Sequence, residues 1–490
     1  MKNHIQRLAS DEMEGRAPGG KGEALATTYI AEFYKSIGLK TQFQAVPLVG
    51  ITPTVSPMTL SGRTDASLAF GPDFVAWSRQ EGGGSVKAEL VFCGYGVVAP
   101  EYGWNDFEGG VKGKIVVVLV NDPQLDDQSK FGGKAMTYYG RWTYKFEEAA
   151  RQGAAGALIV HETDYAGYGW DVVRGSWSGE QFDIVRAGLQ EPALSVQGWL
   201  TRDVAGSLFT RAGMDFDDLK RKALQPDFAP VPTGIVASVD VRNRIRRTDS
   251  KNVIGVLEGS GKSDENVVVT SHWDHLGIGE PQNGDRIFNG AVDNASGVAL
   301  IMEMARAATR LPTPKRSIVF LAVTAEEQNL LGSAYYAEHP LFPLRRTLAN
   351  VNIDSANIYG RHDNKIQVIG FGYTDLEDTL KEVVAKQGRT VAADAEPEKG
   401  FYFRSDQFSL AKKGVPALYT KSATTSDVAD YTKNRYHKPS DEFDPSWDMK
   451  AAVADGDALL QVAFRVANGD TWPEWRPGTE FKAIRDASLK

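Results

Sequence analysis

Five short segments carry side chains able to bind metal ions or move protons, in the chain order His, Asp, Glu-Glu, Asp, His. His272 closes the apolar run Val267-Val268-Val269-Thr270-Ser271, and Asp274 follows two residues on. A carboxylate so close to an imidazole can hold its tautomer and raise its basicity, or sit behind a metal site. Asp293 lies in Gly290-Ala291-Val292-Asp293-Asn294-Ala295-Ser296-Gly297, ahead of a helical pattern. Asp, Asn and Ser are ordinary helix caps, but one cap is enough. Asp293 is therefore available to bridge two cations while Asn294 or Ser296 serves the helix. Thr324-Ala325-Glu326-Glu327 directly follows the apolar run Ile318–Val323. Two carboxylates at a buried strand end are costly unless compensated, and metal ions would compensate them. One can bind metal while the other accepts a proton from attacking water. Asp354 follows Asn352-Ile353 at the end of a strand, and His437 follows Tyr436 in a polar loop. Two imidazoles with terminal and bridging carboxylates suit two zinc ions that keep open positions for water.

The elements around these residues explain how distant segments could meet. After Asn252 the pattern alternates strand and helix: strands at 267–271, 317–323, 348–353 and 415–420, and helices at 296–310, 332–339 and 375–387. Such alternation predicts an α/β fold, with helices on both faces of a central mixed, mainly parallel sheet. Sites in these folds gather at the carboxyl ends of strands, where the candidate residues fall. Residues 5–38 read as one or two helices around a Gly-Arg-Ala-Pro-Gly-Gly loop. From about Ser85 to Ala237, short β-rich runs separated by Gly, Pro and Asp indicate an inserted β-rich domain.

Composition removes several classes of function. With 490 residues, two or more domains are expected. Asp and Glu outnumber Lys and Arg, 63 to 55, which argues against a nucleic-acid partner. No apolar run approaches the ~20 residues of a membrane-spanning helix, so no membrane partner is expected. The single cysteine, Cys93, rules out an intramolecular disulfide and a cysteine-rich metal site. Its apolar neighbours predict a buried thiol. The amino-terminal residues have no apolar signal core, which fits either a cytoplasmic protein or a mature form whose leader was removed.

Taken together, these motifs resemble the dizinc aminopeptidases related to glutamate carboxypeptidase and the transferrin receptor. The resemblance runs through His272-x-Asp274, Asp293-x-x-Ser296-Gly297, Glu326-Glu327, Asp354 and Tyr436-His437. It implies the three-layer zinc-exopeptidase fold over residues 1–84 and 238–490, with a protease-associated insert at 85–237. It also implies Asp293 bridging two zinc ions, replaceable by manganese or cobalt. His272 and Asp354 would complete one position, and Glu327 and His437 the other. Glu326 would be the general base, Asp274 its buried support, and Tyr436 a polariser of the scissile carbonyl. His275 has no ligand role in that family and is expected to be structural or to lie behind the ligands. Gln407 stands where many relatives have histidine.

The implied activity is removal of amino-terminal residues from peptides, by a monomer, in the periplasm or outside the cell. A carboxypeptidase would use the same metals but recognise a free carboxylate, with Arg404 as its candidate. A glutaminyl cyclase generally uses one metal and lacks such an insert. A catalytically dead, receptor-like binding protein has no need of five ligands and a base. Tyr138, Tyr139, Arg141, Trp142 and Tyr144 would either line the substrate channel as a lid or pack as an ordinary aromatic segment.

Overall fold

The computed structural model describes residues 1–490 except Thr64, Gln128 and 186–193. It divides into two compact units. The first comprises Met1–Leu48, Thr248–Ala395 and Arg404–Lys490, and holds all the candidate site residues.

Its sheet runs in the order Thr390–Ala393, Lys365–Ile369, Ala417–Lys421, Thr347–Asn352, Lys262–His272, Arg316–Val323 and the final residues of Val231–Leu257. The strands Ala417–Lys421, Thr347–Asn352, Lys262–His272 and Arg316–Val323 are mutually parallel. Antiparallel neighbours flank them, at Val253–Leu257 on one side and Lys365–Ile369 on the other. The mixed, mainly parallel sheet expected from the sequence is therefore present.

Burial on both faces explains the near-continuous apolar runs of the central strands. Ile318, Phe320 and Ala322 enter one core, with the helices Lys21–Ser36, Gly297–Ala308 and Lys450–Asn468. Val319, Leu321 and Val323 point the other way, toward Tyr336, Leu410 and Val415. This alternation is the period-two geometry of a strand, and it produces three layers. Parallel pairing in turn sets the site: His272 stands opposite Val323, and Thr270 opposite Asn352. The carboxyl ends of three strands are thus level, and His272, Glu326 and Asp354 emerge together.

The second unit comprises Val49–Arg247 and Glu396–Phe403. Its sheet pairs Val231–Val241 with Gly84–Phe92, then continues in parallel through Ile115–Leu119, Gly156–His161 and Val196–Thr201. Phe74–Trp77 closes it antiparallel. The expected boundaries at 84/85 and 237/238 both lie inside this unit. Residues 49–84 belong to it because Met58–Gly62 pairs with Ile235–Ser238, and Phe74–Trp77 with Gln197–Leu200. Residues 396–403 join it too, where Met136 donates to the Pro397 carbonyl. Tyr138, Tyr139 and Tyr144 pack edge to face within the unit, and Trp142 packs on Phe146 and Trp177. Cys93 is buried, as expected.

Candidate metal centre

Asp293 lies in the turn Ala291–Ser296 that enters the helix Gly297–Ala308. The first helical amide, that of Gly297, is met by Asn294 Oδ1, which also accepts from Ser355, and Ser296 Oγ accepts from the Ala356 amide. The Asp293 carboxylate is left to face two histidines. Its Oδ1 is 3.4 Å from His272 Nε2, and its Oδ2 is 3.4 Å from His437 Nε2.

Two donor groups flank it. On one side His272 Nε2 also lies 3.5 Å from Asp354 Oδ1 and 3.8 Å from Glu326 Oε2. On the other, His437 Nε2 lies 3.1 Å from Glu327 Oε2. Ligand atoms about 2.1 Å from a common tetrahedral centre would be roughly 3.4 Å apart, so these separations fit metal coordination. Ligand atoms of His272, Glu326 and Asp354 all lie within 4.8 Å of one another, as do those of His275, Asp293 and Glu327. All the residues expected from the sequence thus converge, and His275 joins them.

Charge in the cluster supports the same reading. Burial pushes the carboxyl of Glu326 well above the usual range, with Asp354, Asp406 and Glu327 adding to the rise against the pull of His272. Burial raises Asp274 and Asp406 to about 7 each. Glu327 goes the other way: burial opposes its ionisation, but His437 and His275 hold it at about 2. Burial also opposes protonation of His437, yet Glu327 and Asp293 raise it to about 10. So many buried carboxylates around two imidazoles are expensive, and cations at the same place would relieve the cost.

Of the two roles open to Asp274, the structure takes the support of the glutamates, and His275 takes the place behind the ligands. Asp274 does not hold the His272 imidazole through its carboxylate, which lies 3.7 Å away. The His272 Nδ1 meets the Asp274 backbone carbonyl at 3.2 Å instead. The carboxylate is turned to the Glu326 amide at 3.0 Å and the Glu327 amide at 3.4 Å. It therefore positions the two glutamates. His275 lies behind a ligand, with Nδ1 2.6 Å from Glu327 Oε1.

Tyr436 stacks on the His437 ring at 3.9 Å, and the residue is 44% exposed. Arg404 is close enough for its charge to act on Tyr436. Backbone in the left-handed region occurs beside three of the site segments, at Ala325, Ser355 and His437. Such conformations persist where the surroundings over-determine them, and they are common at functional sites. Gly290 also has a positive φ, and a Cβ there would stand 2.6 Å from the His275 ring.

Sequence reasoning missed Asp441 and Asp406. Asp441 is fully buried and accepts from the backbone of Val292 and Asp293, orienting the turn that carries Asp293. Asp406 is fully buried near the same cluster. Nothing in the residue type marked either, because a loop aspartate is ordinarily solvated.

Comparison with known proteins adds three findings. Residues 252–461 match Peptidase family M28. Over 140 residues the chain is 34% identical to Aminopeptidase NAALADL1 of Mus musculus, a stretch covering 27% of this chain and 17% of that protein. Over 145 residues it is 36% identical to Aminopeptidase YwaD of Bacillus subtilis (strain 168), covering 29% of this chain and 28% of that protein. The matched stretch thus spans less than a third of either relative. A solved aminopeptidase from Aneurinibacillus sp. strain AM-1 shares the fold, with a TM-score of 0.58 and 21% identity over 96% of this chain and 94% of that one. Among the described residues, no helix is long and apolar enough to cross a membrane.

Proposed function

Residues 252–461 match peptidase family M28, and on that footing we propose that the chain belongs to this family and is a metal-dependent aminopeptidase that removes residues from the free amino terminus of peptides. The observation that carries the reading is the Asp293 carboxylate, with one oxygen facing His272 and the other facing His437. In that arrangement Asp293, His272 and Asp354 would hold one zinc ion, and Asp293, Glu327 and His437 would hold a second. Zinc, when bound, lowers the proton affinity of water and draws charge from a carbonyl oxygen.

The protein's own groups supply the proton transfers. Glu326, in a buried setting that raises its proton affinity, accepts the proton of the attacking water and passes it to the leaving amine. Asp274 fixes the backbone of both glutamates, which keeps Glu326 aimed while Glu327 stays with the metal. The hydroxyl of Tyr436 donates to the carbonyl oxygen as charge develops on it. The second unit is read as a protease-associated domain, on the strength of its Gly94-Tyr95-Gly96 and Lys112-Gly113-Lys114 segments.

The test is cleavage of one short peptide with a free and with an acetylated amino terminus, with and without added zinc. Stepwise, zinc-dependent release from the free form alone is the expected result. Equal cleavage of the blocked peptide from its carboxyl end would make the protein a carboxypeptidase. Cleavage of neither would remove the peptidase reading.

A further inference from the structure

The turn Glu14-Gly15-Arg16-Ala17-Pro18-Gly19 takes no part in the chemistry above, yet Arg16 is completely buried. Burying a guanidinium is costly unless its donors are met. Here four backbone carbonyls meet them. Nε donates to Trp273 at 2.8 Å, one terminal nitrogen to Leu8 at 2.6 Å and Asn289 at 2.7 Å, and the other to Gly290 at 2.9 Å.

Those acceptors are placed in a telling way. Trp273 lies between His272 and Asp274, and Asn289 and Gly290 lead directly into the turn that carries Asp293. The contact is also made in reverse, since the His275 amide donates to the Arg16 carbonyl at 3.4 Å. The turn fits closely where it lies: Gly15 has a φ of +64°, and a Cβ on it would stand 2.5 Å from the Phe288 carbonyl oxygen and 2.6 Å from that of Gly277. Burial lowers the Arg16 pKa to about 10, opposed by Asp274, Asp293, Asp441 and Glu327, so it is cationic at neutral pH.

We propose that Arg16 is a positioning residue for metal binding, its guanidinium clamping the 273–277 loop to the 289–293 loop so that Asp293 and the His275-supported Glu327 are held at coordinating distance. The inference rests on the metallopeptidase reading. A planar fork with donors in several directions reaches three separate segments, and the single ammonium of lysine cannot replace it. Arg16 acts through the ligands it positions and takes no direct part in bond cleavage.

The experiment compares the unaltered protein with its Arg16→Lys variant, titrating each with zinc chloride against a chromophoric chelator. Circular dichroism checks the fold, and kcat is measured at saturating zinc. The variant is expected to bind zinc at least about tenfold more weakly, the usual scale for groups behind a ligand, and to recover turnover as zinc is raised. A folded variant with unchanged zinc affinity would overturn the proposal, because a purely structural role lowers the melting temperature without moving the affinity of folded protein. Should the variant not fold, hydrogen exchange on the unaltered protein decides the matter. Zinc is expected to slow exchange at residues 14–17 and 288–291 together, and slowing that leaves 14–17 untouched would overturn the proposal. Unaltered protein that binds no zinc would remove the metallopeptidase reading and this inference with it, whereas a failure confined to the Arg16 variant removes the inference alone.

Discussion

His275 Nδ1 stands 2.6 Å from Glu327 Oε1, while the other oxygen of Glu327 lies 3.1 Å from His437 Nε2. One carboxylate is thus held between two imidazoles of different standing, one buried behind it and one partly open to solvent. The buried histidine orients the carboxylate through one oxygen, and the more open histidine meets the other. Removing His275 is therefore expected to weaken zinc binding about 10- to 100-fold, with His275→Gln milder than His275→Ala. Zinc retention after dialysis against graded chelator measures this. Equal retention in all three proteins would show that the backbone alone orients Glu327.

Glu326 and Asp293 should fail in different ways. Glu326→Gln keeps the size of the side chain but removes the base, so zinc content should stay near normal while kcat falls roughly 10²- to 10⁴-fold. Asp293→Ala removes the carboxylate that faces both histidines, and zinc itself should be lost. Metal analysis beside steady-state kinetics separates the two. An active Glu326→Gln enzyme would end its assignment as base, and a fully loaded Asp293→Ala protein would end the bridging assignment.

Tyr436→Phe preserves the ring that stacks on His437 and deletes only the hydroxyl. If that hydroxyl stabilises charge on the carbonyl oxygen, kcat should drop on the order of 10²-fold, with KM and zinc affinity little changed. A rise in KM at constant kcat would instead make Tyr436 a substrate-binding group.

A pH effect on stability is expected away from the centre. Burial depresses His4 from 6.5 to about 4, and its Nδ1 lies 2.7 Å from the Tyr29 hydroxyl. Because the folded pKa is the lower one, the unfolded chain takes up the proton first as pH falls. The contribution of His4 is complete above about 6.5 and is lost progressively toward about 4. Urea unfolding at several pH values should show wild type losing more stability across that window than His4→Asn. Parallel curves would refute the assignment.

The strand-end residues were legible for a physical reason. A buried parallel strand needs an unbroken apolar run, so Val267–Ser271 and Ile318–Val323 announce themselves, and a charged residue at the end of such a run demands compensation. The cap residues were legible too: Asn294 serves the helix and leaves Asp293 free. His437 was recognisable only beside Tyr436 and by resemblance, because its loop has no periodicity.

By itself, then, the sequence determined the alternation of strands and helices, the carboxyl ends at which His272, Glu326, Glu327 and Asp354 emerge, and the donor types available there. Tertiary structure alone decided the rest. Turning the Asp274 carboxylate to the Glu326 and Glu327 amides, rather than to His272, depends on how two parallel strands end side by side. Seating Arg16 on the carbonyls of Trp273, Asn289 and Gly290 joins positions more than 250 residues apart, and the second unit gathers 396–403 with Val49–Arg247 although residues of the first unit separate them along the chain. Periodicity reports which face of an element is buried, while these contacts depend on what lies opposite that face, and only packing in three dimensions specifies that.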